Sequence, residues 1–429
     1  MRAKGALALA LAVALALALV VAGCGGSGVR SFRIGILSDC FGPFGGAHEL
    51  NLADAEVPLI GLGAKPRGRK PSSGITAVEV AGRRIELLVG CVAGSEDVIP
   101  EARRLVEEEG ARALVGPVTP EQGMALRQYA RLQPNVAFLI QPTAAPELTL
   151  DDPARNVFRF APDAAQTSAG LGSYAYRQLG WRRAAVVADD VPYGWAESAG
   201  FIAEFCALGG RIVARHWITF GTDPGAAAAH VPGSADGVYL GAAVSPMKRF
   251  LDRYAARHGI EGKVVSNVAL FGDPTVIPTA GGVVVGGSPS FDPIPAQRTF
   301  AAALTKAFPA IPAASAINSL SIPFATGVEA AIAALRRAHG ADGRSFLSAL
   351  ARVQIDSPMG RIRLDGNRQA IQPNYLSKVV PSGNGVALRT LRVVPDVEQT
   401  FGGYFAPGGP PPSEISPPCV KRTPPPWAR

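Results

Sequence analysis

The sequence contains none of the short motifs that mark common catalytic and metal sites. It has no GxxxxGK[ST] phosphate loop, no HExxH, no GxSxG, and no GxGxxG behind a strand. Nucleotide, zinc-protease and serine-hydrolase chemistry therefore have no motif to rest on. The five histidines (48, 216, 230, 258 and 339) are scattered without ligand spacing, and His216, inside an apolar run, reads as a partly buried structural residue. The five cysteines show neither CxxC nor CxxxH spacing, which argues against zinc. Adjacent acids such as Asp151-Asp152 and Asp189-Asp190 usually point apart, so they read as turn or helix caps, with Asp190 capping the helix that follows it. No catalytic residue, metal or cofactor is expected. Positive charge is mild, +8 over 429 residues, with no dense Lys/Arg block interleaved with aromatics, so nucleic acid is not an expected partner. The nearest candidate, Lys65-Pro-Arg-Gly-Arg-Lys70, sits among Pro and Gly and reads as a solvated loop. No repeat of solenoid period is present.

What is present begins at the N-terminus. Arg2 and Lys4 precede an unbroken apolar run from Ala6 to Ala22, and Val21-Ala22-Gly23-Cys24 is followed by Gly-Gly-Ser-Gly. This resembles a bacterial lipobox. It implies a signal peptide at 1–23, lipidation of Cys24, and a flexible tether at 24–31. The alternative is an uncleaved transmembrane anchor, because the run is near the minimum spanning length. Loss of 1–23 would lower the net charge from +8 to +6, since only Arg2 and Lys4 are charged there. Export permits disulfides, and the remaining Cys40, Cys91, Cys206 and Cys419 allow three connectivities.

From Phe32 onward, short apolar runs alternate with amphipathic stretches. Strands are expected at Arg33–Ser38, Arg84–Gly90, Arg112–Gly116, Val136–Ile140, Ala184–Ala188, Arg211–Ile218, Gly237–Gly241 and Val283–Gly286. Most are apolar on both alternating faces, as strands of a parallel sheet covered on both sides are. Helices are expected at Ile99–Glu109, Ala325–His339 and Phe346–Val353. This alternation predicts α/β architecture, with two doubly wound parallel sheets. From Pro395 to Arg429 the chain holds ten prolines in 35 residues, the mark of an extended tail. Phe401, Tyr404, Phe405 and Cys419 within it suggest that part of the tail docks.

Several phrases, in this order, resemble one family. They are "RIGILSDCFGPFGG", "GRRIELLVGCVAGSEDVIPEARRLVEEEGARALVGPVTPEQ", "VFRFAPDAAQ", "AAVVADDVPYGWAESAGF", "DGVYLGA" and "SPMGRIRLDGNRQ". Together, behind a lipobox and over about residues 32–394, they resemble solute-binding proteins of ABC importers, of the leucine/isoleucine/valine type with the type I periplasmic-binding fold. The resemblance implies two lobes joined by a three-crossing hinge, 32–160 with 285–357 and 161–284 with 358–394, ahead of the Pro-rich tail at 395–429. It implies a small polar solute (an amino acid or a related amide or carboxylate), an ABC permease and ATPase as partners, and an extracytoplasmic, lipid-anchored location. A ligand sensor of the same fold and a two-lobe extracytoplasmic enzyme are the competing readings.

The resemblance also assigns ligand contacts. Phe44, Thr119, Gln141 and Thr143 would face the solute from one lobe, and Tyr193 and Asp273 from the other. Thr119-Pro120-Glu121-Gln122 fits a capping box at a helix start, independently of any ligand. Cys40 and Cys91 end the first two strands, neighbours at about 4.8 Å spacing in such a sheet, and are expected to pair. Cys206 and Cys419 remain, and their bond would staple the tail to the second lobe.

Overall fold

The computed structural model describes residues 30–242, 245–267, 269–270, 280–290, 292–312, 315–338, 343–382 and 385–429. Two sheets organise it. The first contains β1 (Arg30–Asp39), β2 (Val78–Val80), β3 (Arg83–Val92), β4 (Ala113–Val115), β5 (Ala137–Leu139) and β6 (Val157–Phe158), in the order β2-β3-β1-β4-β5-β6. All neighbours are parallel except the edge pair β2–β3. The second contains β7 (Arg183–Asp189), β8 (Arg211–Ile218), β9 (Gly237–Gly241), β10 (Val264–Asn267) and β11 (Val284–Gly287), parallel in the order β11-β10-β9-β7-β8. Antiparallel strands extend it beyond β11: β12 (Ile355–Ser357), β13 (Gly360–Leu364), β14 (Ala370–Ser382) and β15 (Gly385–Val397). The sheets are therefore mixed, with mostly parallel strands. The long β14–β15 hairpin was not among the expected strands; its mixed polarity and Pro373 and Pro381 hide it from a search for apolar runs.

Two-sided burial explains why the central parallel strands β4 and β7 are apolar along almost their whole length. In β7, Ala184 and Val186 enter one core layer, while Ala185 and Val187 enter the layer on the opposite face. In β4, Ala113 and Val115 lie on one face and Leu114 on the other. With both faces covered, neither residue of the alternating pair can be polar. Four of the covering helices are α1 (His48–Ile60) on β1, α2 (Pro120–Ala130) on β5, α3 (Pro192–Ala207) on β7, and α4 (Ile322–Arg337) on β4. Helix α1 packs on α4 in the first lobe. Helix α3 stacks Phe201 on Phe205 and on Tyr239 of β9, at 5.3 and 4.8 Å between ring centroids. Gly200 permits its contact with the segment at Ala165, because a β-carbon there would collide with the Ala165 carbonyl oxygen.

The chain passes between the lobes near Arg159, which is bridged to Gln369, again after β11, and a third time along β14. Strand β14 starts in the first core at Ala370 and reaches the second at Leu376. The boundary expected at 284/285 thus falls inside β11, and Ile355, Met359 and Ile362, on either side of the one expected at 357/358, all belong to the first core. The tail is not free. Phe401, Trp427 and Ala428 are buried in the second core, with the rings of Phe401 and Trp427 5.2 Å apart. Cys206 and Cys419 are bonded, with Cα atoms 5.2 Å apart. Among the described residues no helix is long and apolar enough to cross a membrane.

Candidate functional site

In each sheet there is one place where successive strands leave in opposite directions. In the first it lies between β1 and β4, and in the second between β7 and β9. Open α/β sheets bind ligands at such points, beyond the carboxyl ends of the strands. The side chains there are polar and largely sheltered, and they define the candidate site.

On the first lobe, β1 ends in Ser38 and Asp39. Ser38 Oγ contacts His48 Nδ1 at 3.1 Å and accepts from Asn51 Nδ2 at 3.0 Å, both on α1. Asp39 Oδ1 accepts from Gln122 Nε2 at 2.8 Å, while Oδ2 is buried without a partner. Burial raises the Asp39 pKa, against the lowering effect of the Gln122 hydrogen bond. Burial also lowers that of His48, since either charged form is poorly hydrated there. Gln122 works in two directions. Its Oε1 accepts from the Thr119 N–H at 3.0 Å, and its own N–H donates to Thr119 Oγ1 at 3.3 Å, closing a capping box with Pro120 in the first turn. Thr119 is half-buried at this rim.

Cys40 and Cys91 are bonded, with Cα atoms 5.4 Å apart, which secures the loop after β1. In that loop Phe44 is half-buried against the first core, while Phe41 is exposed.

Gln141 and Thr143 sit behind the rim. Both are fully buried. Gln141 Nε2 donates to the Pro323 carbonyl and, at 3.0 Å, to Thr326 Oγ1, and its Oε1 accepts from the Phe160 N–H at 2.7 Å. Its amide is thereby committed to joining β5, α4 and the first crossing, which leaves it nothing to offer a solute. Thr143 Oγ1 lies 2.7 Å from the Pro117 carbonyl and 3.2 Å from that of Thr119, so it braces the α2 cap from behind.

On the second lobe, β7 hands over to α3 through Asp189, Asp190 and Val191. Asp190 does not cap the helix as the sequence suggests. The N-cap position is Val191, without a side-chain bond, and Asp190 Oδ1 instead accepts from Trp195 Nε1 at 3.1 Å. Asp190 stands one residue before the N-cap, because the helix begins at Pro192. Asp189 Oδ2 accepts from the Ser245 N–H at 3.1 Å. Burial raises the pKa of the Tyr193 hydroxyl, against the lowering effect of the Asn267 and Thr167 side chains. The ring therefore stands where the start of α3 meets the end of β10.

One turn into α3, Glu197 is fully buried and neither carboxylate oxygen has a partner. Burial, reinforced by the nearby Asp189, raises its pKa well above the usual range. It lies against Gly241 at the end of β9, where a β-carbon would stand 2.5 Å from Glu197 Oε1. Asn267 donates to the Ala242 carbonyl at 3.3 Å and its Oδ1 is unpartnered. The expected contact Asp273 lies outside the described residues.

The structure thus joins Thr119, Thr143 and, at the far end of the same loop, Gln141 on one lobe, and places Tyr193 on the other. Sequence reading missed Asp39, Gln122 in its second role, Glu197 and Asn267. Asp39 ends the first strand and Gln122 belongs to a legible capping box, so both had a local signal. Glu197 sits in a helical pattern and had none. Among the described residues, no group of three or more His, Cys, Asp or Glu could hold a metal.

The family described as periplasmic binding protein matches residues 32–384. An ABC transporter substrate-binding protein from Sphaerobacter thermophilus is similar in structure, with 24% identity, 86% of this chain and 99% of that chain covered, and a TM-score of 0.75. A solute-binding protein of an ABC transporter from Rhodopseudomonas palustris BisB5, solved with 3,4-dihydroxybenzoic acid, has 20% identity, coverage of 86% and 98%, and a TM-score of 0.70. A leucine-binding protein from Thermotoga maritima has 17% identity, coverage of 85% and 99%, and a TM-score of 0.66. Among curated proteins no relative matches.

Proposed function

Because this chain belongs to the periplasmic binding protein family, we propose that it is the solute-binding component of an ABC importer. It captures a small polar solute between its lobes, without turnover, and delivers it to a membrane permease driven by an ATPase. Its place is extracytoplasmic, and lipid on Cys24 holds it to the membrane. The observation that carries this reading is the matched pair of polar rims, Asp39 with Thr119 on one lobe and Tyr193 with Asn267 on the other, each at its sheet's switch point. A solute that touches both rims gains those contacts only when the lobes close, so binding and closure are coupled.

The chemistry of the rims favours a solute with N–H groups. Among the unpartnered atoms there, Asp39 Oδ2, Asn267 Oδ1 and the two Glu197 carboxyl oxygens, acceptors predominate, and buried acceptors require donors. An amino acid through its amine, or an amide, meets that need, with Phe44 and Tyr193 flanking it. Asp273, within the segment 271–279, is retained as a further candidate for the amine. The test is calorimetry on ligand-stripped protein with amino acids, simple amides and hydroxybenzoates. Amines or amides should bind, and Tyr193→Ala should weaken them by about 1–3 kcal/mol with an unchanged melting curve. Preferential binding of hydroxybenzoates overturns the solute class. Wild-type affinity in Tyr193→Ala overturns the site.

A further inference from the structure

The segment joining α1 to β2 carries Lys65, Arg67, Arg69 and Lys70, all exposed, and no Asp or Glu occurs between Glu56 and Glu79. It is not a loose loop. Pro66 and Ile75 form an antiparallel bridge, the Thr76 N–H donates to the Lys65 carbonyl at 2.8 Å, and that of Arg67 to the Gly74 carbonyl at 2.9 Å. The tip is pinned to α1, where Ser72 donates its N–H and hydroxyl to the Glu49 carboxylate at 3.0 and 2.7 Å. None of the four cations forms an ion pair among the described residues. The fold thus holds four like charges along one rigid ridge, where they repel each other unless an anionic surface meets them.

The position of the ridge says which surface. It belongs to the lobe that begins with β1, and β1 starts six residues after Cys24. Six residues reach about 20 Å when fully extended. A lipid on Cys24 therefore keeps this lobe beside the bilayer, but one flexible tether leaves its orientation free. We propose that the Lys65–Lys70 ridge docks on anionic phospholipid headgroups and so sets which face of the first lobe rests on the membrane. The tether argument rests on the lipid-anchor reading above; the charge argument does not. Each cation held near an anionic surface strengthens attachment about fivefold, so the ridge is strong enough to orient a molecule already tethered.

The experiment uses the processed chain, residues 24–429, carrying Cys24→Ser so that no lipid contributes. Vesicles of phosphatidylcholine alone are compared with a phosphatidylcholine–phosphatidylglycerol mixture, at low and high salt. Co-sedimentation is expected only with the mixture, and is expected to vanish at high salt. The variant Lys65→Glu/Arg67→Glu/Arg69→Glu/Lys70→Glu should lose at least about tenfold in vesicle affinity with its melting curve unchanged. A control reversing four exposed cations elsewhere, Arg257→Glu/Lys306→Glu/Arg336→Glu/Arg344→Glu, should retain most binding. The proposal is overturned if the wild type ignores the anionic vesicles, if the ridge variant binds them equally well, or if the control loses as much. Unchanged vesicle binding with failed solute uptake in cells overturns it too, and assigns the ridge to the permease. Cell fractionation of the full-length chain with and without Cys24→Ser tests the anchor separately, since the vesicle result involves no lipid on the protein.

Discussion

Arg159 and Asp163 face each other at 3.8 Å in the first crossing between the lobes, and neither side chain reaches solvent. Around them a closed network forms. Arg159 donates to Gln369 Oε1 at 2.5 Å, to the carbonyls of Thr143 and Ala145 at 3.1 and 2.6 Å, and to Thr149 Oγ1 at 3.1 Å. Gln399, beyond the residues matched by the family, donates to Thr149 Oγ1 at 3.0 Å and Asp163 Oδ2 at 3.3 Å. One guanidinium thus links the loop behind the Thr119 rim to the crossing and to the start of the tail.

Breaking this pair on one side should be costly. Arg159→Met leaves Asp163 buried without its counter-charge, and a loss of about 3–5 kcal/mol in unfolding free energy is expected. Adding Asp163→Asn should recover part of that loss, because the stranded charge is gone. Urea unfolding of the two single variants and the double variant measures the coupling. Simple additivity of the two losses would show that the residues do not act as a pair.

Acid burial should make the protein less stable at high pH. Glu56, on α1, is pushed up to about 8 from 4.5, first by burial and then by the charge of Glu49, and Glu329 is raised in the same direction by burial. A carboxyl raised in the folded state holds a proton that the unfolded chain releases. Its contribution is thus complete below about pH 4.5 and is lost as pH rises through about 8. Glu56→Gln should flatten the decline between about pH 5 and pH 9 by a few kcal/mol. Unfolding curves across that range check it; an unaltered slope would remove Glu56 from the account.

Reduction of Cys206–Cys419 should loosen the second lobe. The bond closes a separation of 213 residues, and long closed loops are worth roughly 3–5 kcal/mol. Cys206→Ser/Cys419→Ser should lower the melting temperature and expose Trp427, which now packs on Phe401. Tryptophan fluorescence during the melt reports both, and an unshifted melt would mean that the buried aromatics alone hold the tail.

Gln122 should be worth more than an ordinary cap. Gln122→Leu removes its reach to the Thr119 N–H and strands Asp39 Oδ1, at a cost of about 1–3 kcal/mol. The Asp39 pKa should rise further, because this hydrogen bond holds it down. Denaturant titration with NMR of the carboxyl resonances measures both effects. A loss no larger than that of Thr119→Ala would reduce Gln122 to its capping role.

What the sequence determined by itself is whatever depends on neighbours along the chain. Apolar alternation on both faces gave β7 and β9 nearly residue by residue, because a strand covered on both sides has no polar position to confuse the pattern. The Thr119–Gln122 box was legible because both its hydrogen bonds span three residues. Tertiary structure decided the rest. Gln141 is an internal strut because its partners Pro323 and Thr326 stand 182 and 185 residues away, a distance no local pattern records. Asp190 turns to Trp195 and not to the helix end, because the helix starts at Pro192 and so puts Val191, not Asp190, at the N-cap. Glu197 has the periodicity of any helical residue, and only the packing of α3 against Gly241 removes its carboxylate from water. Proline content marked the tail as extended, yet Phe401 and Trp427 dock it into the second core, since composition records how a backbone bends but not which surface its aromatics will find.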